Sequence, residues 1–517
     1  MSLAWDLAVA ASLIYFLAIN ITYTLLTLTS FFHTAFRTRQ AEAARFDLLL
    51  RSGLTPPVSI VIPAHNEEPV ILDSVATALA VEYPEFEVIV VNDGSTDRTL
   101  RRLIEAFEME GTEQPYRAVL PSSPVRRIYT SRIHPNLRVV DKAKGGKSDA
   151  LNAGVNVARF RYVCNTDADT LFEPTALLRI MRPVVRDPER VVAVGGQVRV
   201  GNGFRVVDGR ISERRLASSF LPVFQVVEYL RTFLGNRVGW SAINSMLLIS
   251  GAFGLWRRDT LVSVGGFNRD ITGEDLELTL RIHRVLRQRG EEYKVLALPD
   301  PVCWTEAPDD LRSFYGQRNR WHRVLLESFG LHREMLLNPF YGTPGMVGMP
   351  YYFFFEILGP FLEILSYVVV GTGFMLGFVE PETLLLFLML TVGYSTVLNT
   401  AAILIEELHF QSYDSMEDVG KLLVAGFLDN LGYRQMTMAI RVIATFDWLT
   451  QTRAWGEMVR TGYGRAADRE AGGLIGDRGK LPAPGPDSIP AEKEVVPVSP
   501  GTGASQPKGP EGPDRQA

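Results

Sequence analysis

The sequence predicts an α/β domain on a mostly parallel sheet, flanked on both sides by membrane-spanning helices. Three observations carry that reading. Mean hydropathy is only +0.07, yet the first 32 residues and the stretch after Met346 hold long apolar runs with few charges. Between them, short apolar runs alternate with helical patterns, as strands joined through crossover helices do. Each legible strand ends in polar loop residues, and open α/β sheets bind ligands at that edge.

Residues 1–36 form the first element. Leu7 to Phe32 is uncharged and exceeds the ~20 residues that cross a bilayer. No early Lys or Arg marks it as a secretory signal. Arg37, Arg39, Arg45 and Arg51 follow, which places that flank in the cytoplasm and the N-terminus outside. The α/β domain covers residues 56–307. Its strands read as Val58–Ile62, closed by Pro63; Val88–Val91, closed by Asn92-Asp93-Gly94; and Arg161–Asn165, leading into Thr166-Asp167-Ala168-Asp169.

Residues 308–349 read as interfacial helices, and residues 350–465 as transmembrane and interfacial helices. Tyr351 to Val379 predicts one span and Leu384 to Ile405 another. Leu422 to Leu449 is interrupted by Asp429, Arg434, Arg441 and Asp447, and either spans or lies in the interface. Glu356 and Glu363 are seven apart with Pro360 between them as a kink. Lipid-facing carboxylates are costly, so this face should turn inward, to line a path for a glycan or to pair with Arg434 or Arg441. Residues 466–517 are rich in Pro, Gly and charge without one aromatic, and predict a disordered tail.

A net charge of -5 offers no basic field, which excludes a nucleic-acid partner. Cys164 and Cys303 form neither a metal-ligand spacing nor a disulfide framework. They read as reduced thiols of a cytoplasmic domain.

The chemistry concentrates in a few short segments. Asp167 and Asp169 follow a buried strand one residue apart, so a tight loop can aim both at one divalent cation, with phosphates filling its other positions. An isolated Asp-x-Asp is a common solvated turn; its place after an apolar strand and among other acidic sites sets this one apart. Asp93 ends a strand, where its carboxylate can meet a base or ribose, while Asp97 reads as the cap of the next helix. Glu67 occupies the equivalent edge of the first strand. Lys147 lies in Lys144-Gly145-Gly146-Lys147-Ser148, where glycines admit a ligand to the backbone and a helix N-terminus favours phosphate. The spacing is not that of a Walker A loop.

Gly273-Glu274-Asp275 precedes a helical pattern, and Asp275 is placed to act as a general base on an acceptor hydroxyl. Gln317, Arg320 and Trp321 stand at i, i+3 and i+4 and share a helical face. That face offers an amide, a guanidinium for phosphate and an indole for a sugar ring. Each segment alone also has an ordinary structural reading, as a turn, a dipole-complementing acid or an interfacial Trp.

Taken in order, Pro63-Ala64-His65-Asn66-Glu67, Val91 to Asp97, Gly145 to Gly154, Thr166 to Asp169, Gly273 to Asp275 and Gln317 to Trp321 resemble the family 2 glycosyltransferases. Among these the likeness is to the processive membrane synthases of cellulose, chitin, hyaluronan and poly-N-acetylglucosamine. It runs from about Val58 to Trp321. The resemblance implies a Rossmann-like GT-A fold, a cytoplasmic catalytic domain in the plasma membrane and an inverting mechanism. It implies a nucleotide-sugar donor, UDP-linked, and Mg²⁺ or Mn²⁺. Glu67 and Asp93 would then meet the nucleoside, Lys147 the diphosphate, and Asp167 and Asp169 the diphosphate and metal. Asp275 would be the base, Gln317 and Arg320 would hold the diphosphate, and Trp321 would stack on the acceptor. The acceptor is a growing glycan or, in the alternative reading, a lipid carrier that receives one sugar. Gly273 stands where many relatives carry Thr.

Overall fold

The computed structural model describes residues 2–43, 55–207, 209–410, 413 and 415–450. The expected tail over 466–517, and Arg45 and Arg51, lie outside the described residues. The strands are β1 (Val58–Ala64), β2 (Phe86–Asp93), β3 (Met109–Thr112), β4 (Val125–Ser131), β5 (Leu137–Lys142), β6 (Tyr162–Thr166), β7 (Leu171–Phe172), β8 (Val191–Val200), β9 (Arg205–Val207), β10 (Arg210–Glu213), β11 (Phe253–Arg257) and β12 (Lys294–Thr305). A 10-stranded sheet has the order β3-β4-β5-β2-β1-β6-β11-β8-β12-β7, and β9 pairs with β10 apart from it.

The sheet is mixed, not mostly parallel as its sequence suggested. The block β5-β2-β1-β6 is parallel, but β11 runs antiparallel to both β6 and β8. The short loops and hairpin-like returns that reverse β4, β7 and β11 carry no periodic signal of their own, so direction was not legible. β1 and β6 are buried along their whole length, as strands covered on both faces must be. β1 also continues through Pro63 to Ala64. Pairing with β6 stops at Val61, so Pro63 has a neighbour on one side only and breaks no central ladder.

Among the described residues, two helices are long and apolar enough to cross a membrane, over Leu3–Phe32 and Pro381–Phe410. The expected continuous span from Tyr351 to Val379 is instead two helices, Pro344–Ile357 and Gly359–Met375, bent by 46°. The break falls at Leu358, and Pro360 sits in the first turn of the second helix, where its missing N–H costs no bond. The 422–449 segment is also broken, into Met416–Leu428 and Arg434–Leu449. Leu431 and Gly432 leave the helical region, and Gly432 adopts φ 141°.

The acidic face of the broken span does turn inward, and Glu363 is 5% exposed. Its carboxylate lies 2.8 Å from Arg434, and that of Glu356 lies 2.7 Å from Arg441. The outcome is therefore pairing, not a glycan path lined by these carboxylates. Desolvated carboxylates demand a countercharge, and the last helix supplies one for each.

Candidate active site

The parallel block explains why distant segments meet. β1, β2, β5 and β6 all point their C-terminal ends to one edge. That edge receives Glu67, Asp93, the glycine loop after Lys142, and Asp167. β11 runs the opposite way, so the loop before it, Ser250-Gly251-Ala252, arrives there too. Two side chains of β6 tie that loop down: Asn165 Nδ2 donates to the Gly251 carbonyl at 2.9 Å, and Thr166 Oγ1 to that of Ala252 at 2.9 Å.

Lys147 opens the helix Lys147–Val157, just after Gly146 at φ 93°. Its Nζ lies 2.6 Å from Asp167 and 2.6 Å from Glu274. Burial opposes the charge on Lys147, but Asp167 and then Glu274 outweigh it and raise its pKa above the ordinary lysine value. Burial pushes the Glu274 carboxyl up, aided by the charges of Asp275 and Asp167 and opposed by Lys147. The sequence marks Glu274 only as the neighbour of Asp275; the structure gives it the buried side of this cluster.

Asp275 is half-buried at the start of the helix Glu274–Gln288. One carboxylate oxygen accepts from the Gly251 amide at 2.9 Å and the other from the Leu276 amide at 2.8 Å. Gly251 was not singled out by sequence. A Cβ there would stand 2.9 Å from both Lys147 Nζ and Glu274 Oε1, so a larger residue would displace the ends of those two side chains. The small-residue run Ser250-Gly251-Ala252 is the one signal that could have found it. Gly273 is likewise set by packing: a Cβ there would lie 1.8 Å from Val324 Cγ1 on the helix Leu311–Leu331.

Asp93 is buried, and its carboxylate is occupied within the protein. It pairs with Lys142 and accepts from the amides of Gly145 at 2.9 Å and Gly146 at 2.7 Å. As placed, it anchors the glycine loop that presents Lys147. Lys142 also pairs with Asp149 at 2.6 Å, a buried network the sequence did not reveal. Asp97 accepts from the Thr99 amide at 2.9 Å, at the start of the helix it was expected to cap. Glu67 lies in the turn after β1, with its amide donating to Thr99 Oγ1 at 2.9 Å.

Asp310 caps the helix Leu311–Leu331, accepting from Arg312 and Ser313. The helix brings Gln317 in buried, Arg320 half-buried and Trp321 42% exposed. Gln317 Oε1 is buried and meets no hydrogen-bond partner among the described residues, a cost of about 1–3 kcal/mol until something fills it. Between them, Arg318 places its guanidinium 4.6 Å from the Trp321 ring centroid. It also pairs with Glu228.

Asp167 and Asp169 follow β6 as expected, and Asp169 is 2% exposed. Their hard oxygens suit a divalent cation of the Mg²⁺ or Mn²⁺ type, and Asp167 already holds a cationic group in Lys147. Among the described residues no group of three or more His, Cys, Asp or Glu side chains could hold a metal ion. A cation on this pair would therefore complete its coordination with ligand oxygens and water.

A mixed α/β sheet with an acidic loop, a lysine and a helix-borne carboxylate at one edge defines a GT-A type glycosyltransferase. Glycosyl transferase family 2 matches residues 59–120 and glycosyltransferase like family 2 matches residues 124–323. The chain belongs to the family 2 glycosyltransferases. It is 27% identical over 277 residues to the poly-beta-1,6-N-acetyl-D-glucosamine synthase of Staphylococcus epidermidis, covering 53% of this chain and 56% of that one. The synthase of the same name from Staphylococcus aureus strain COL matches to the same extent. This chain thus spans little more than half the length of these relatives. Among solved structures, a mannosyltransferase from Pyrobaculum calidifontis in complex with GDP-Man and Mn²⁺ aligns with a TM-score of 0.43 and 20% identity, over 81% of this chain and 99% of that one. Residues 1–349 of Staphylococcus aureus TarS, in complex with UDP-GlcNAc, align with a TM-score of 0.32 and 16% identity, over 74% and 92%.

Proposed function

We propose that this protein is a membrane-embedded inverting glycosyltransferase that extends a glycan from a nucleotide sugar. The observation that carries the reading is the convergence of Lys147, Asp167, Glu274 and Asp275 around Gly251. The likeness to synthases of a poly-N-acetylglucosamine supports an N-acetylhexosamine or hexose as the transferred sugar and a glycan as the acceptor.

In this reading Asp275 accepts the proton of the acceptor hydroxyl as that oxygen bonds to the sugar's anomeric carbon. The bond from that carbon to the diphosphate breaks in the same displacement, which inverts the configuration. Gly251 and Leu276 hold the Asp275 carboxylate by their amides, and so fix where the base points. Lys147 turns from Asp167 and Glu274 toward the departing diphosphate. Such fixed charge near the leaving group is commonly the largest catalytic contribution. Asp167 and Asp169 would hold a divalent cation, which would neutralise charge on the leaving diphosphate. Gln317, through its side-chain N–H groups, and Arg320 would meet the diphosphate as well, while Glu67 faces the nucleoside. Trp321, exposed on the same helix, stacks on the acceptor sugar.

Membrane insertion is supported by the apolar stripe on the first helix. Leu3, Leu7, Ile14, Leu17, Ile21 and Leu25 all face outward and exposed, a patch that a bilayer would cover. The deciding experiment incubates detergent-extracted protein with a panel of UDP-sugars and reads UDP release and product mass. Release with long products supports the proposal; single-sugar products would give it to the lipid-carrier alternative. No release with any nucleotide sugar would overturn it.

A further inference from the structure

Arg318 stands one turn before Trp321 on the helix Leu311–Leu331, so the two side chains meet along one face. Its guanidinium lies 4.6 Å from the centroid of the Trp321 ring and 4.8 Å from that of Phe314, one turn earlier. The Arg318 side chain is 4% exposed, whereas Trp321 is 42% exposed. A buried cation thus supports an indole that otherwise looks outward. The ring quadrupole attracts the guanidinium, which is planar and stacks on an indole as an ammonium cannot.

Two other elements hold Arg318 in turn. Its charge pairs with Glu228, near the end of the helix Phe220–Tyr229. Its Nη2 donates to the Tyr433 hydroxyl at 3.3 Å, and that hydroxyl donates to the other Glu228 oxygen at 2.6 Å. The three groups close a ring of hydrogen bonds in which the phenol both accepts and donates. Such a ring, formed away from water, limits the rotamers of its members.

Tyr433 ends the break between the last two helices, directly after Gly432 at φ 141°. A Cβ on Gly432 would meet nothing within 4 Å, so glycine answers there to backbone conformation and not to space. The Tyr433 ring stacks on Phe224 at 5.2 Å and packs on Phe314 at 5.5 Å. The break therefore delivers a fixed hydroxyl to Arg318. With its side chain buried and its charge answered by Glu228, Arg318 acts on a ligand through Trp321.

We propose that Arg318 is a positioning residue: with Glu228 and Tyr433 it fixes the angle of the Trp321 indole, and so ties acceptor stacking to the break between the last two helices. This rests on the reading of Trp321 as the platform for the acceptor sugar. The test uses the full detergent-extracted chain with the variants Arg318→Lys, Tyr433→Phe and Trp321→Ala. Arg318→Lys keeps a charge opposite Glu228 and loses the planar group. Tyr433→Phe keeps the ring packing and loses the hydroxyl. Fluorine NMR of the fluorotryptophan-labelled chain reads the indole directly, the Trp321 signal being the one of seven that Trp321→Ala lacks. Arg318→Lys and Tyr433→Phe should both shift and broaden that signal and leave UDP affinity unchanged. Kinetics use UDP-N-acetylglucosamine as donor and a short N-acetylglucosamine oligosaccharide as acceptor. Acceptor KM should rise about tenfold in Arg318→Lys and about threefold in Tyr433→Phe, with kcat nearly unchanged. An unmoved Trp321 signal in both variants overturns the proposal. So does a loss of UDP affinity that matches the rise in acceptor KM, which would make Arg318 a donor ligand. Normal acceptor KM in Trp321→Ala retires the platform reading instead, and the fluorine signal alone then decides whether Arg318 positions the ring. Should Arg318→Lys fail to fold, Tyr433→Phe decides by the same comparisons.

Discussion

The Lys147 ammonium stands 2.6 Å from the Asp167 carboxylate, across the gap between the glycine loop and the acidic loop. A lysine in that place neutralises the acidic edge and, in the proposed function, would become the cation nearest the diphosphate. Lys147→Ala should therefore lose transfer by about 10²–10³-fold, the usual cost of removing one fixed electrostatic partner. Steady-state rates and UDP titration check it. A variant with normal rate would mean that Lys147 only offsets Asp167 and Glu274.

Chelation should stop the reaction. Asp167 and Asp169 supply hard oxygens at one loop, and the remaining ligands would come from the donor. Excess EDTA should abolish UDP release, with recovery on added Mg²⁺ or Mn²⁺, and Asp169→Ala should not recover. Full turnover in EDTA would show that the pair acts without a metal.

Asp275→Asn keeps the shape while removing the proton acceptor, and its single amide oxygen can accept from Gly251 or from Leu276. Transfer should fall by ~10²–10⁴-fold with donor affinity near normal. Collapse of donor binding instead would make Asp275 a donor ligand.

What the sequence could reveal follows from what side chains advertise locally. The ends of β1, β2 and β6 were legible because apolar runs stop at charged loops, and those ends carry Glu67, Asp93 and Asp167. Lys147 and Asp275 were legible because glycines and a helix start flank them. The partners that hold these groups were not. Gly251 acts only through contacts more than 20 residues away, and Lys142 acts by tying nearby Asp149 to Asp93, 49 residues back, links that no local pattern encodes. Asp93 shows the limit best. Its place at a strand end suggested a ligand contact, whereas its carboxylate is taken up by Lys142 and the Gly145-Gly146 amides. The pairing of Glu356 and Glu363 was among the sequence's options, and choosing between them required the last helix to be in place.

Those two pairs should differ in weight. The Glu363 side chain is 6% exposed beside Arg434 at 14%, whereas Glu356 is 28% exposed beside Arg441 at 24%. Removing one member of a buried pair strands its partner, at a cost of ~3–5 kcal/mol. Glu363→Gln should therefore lower the melting temperature in detergent more than Glu356→Gln does. Equal and small shifts would mean that water reaches both pairs.

Acid should weaken the α/β domain through His283. Its ring is fully buried, with Nδ1 at 2.8 Å from the Tyr293 hydroxyl and Nε2 at 2.8 Å from the Met246 carbonyl. Burial pushes its pKa down to about 4, with the backbone contact to Met246 opposing and the Arg287 charge adding to the fall. The unfolded chain, with an ordinary value of about 6.5, thus binds the proton more readily than the folded one. The stability this residue contributes is complete above pH 6.5 and is lost as pH falls toward 4, with no further loss below. The linkage amounts to roughly 2 kcal/mol at pH 5 and ~3 kcal/mol near pH 4. His283→Gln keeps a polar group against Tyr293 and Met246 but does not titrate. Its melting temperature should start below that of the native chain at pH 7.5 and fall less steeply toward pH 5. Parallel slopes for the two proteins over that interval would show that His283 takes up no proton on unfolding, and that the acid sensitivity lies elsewhere.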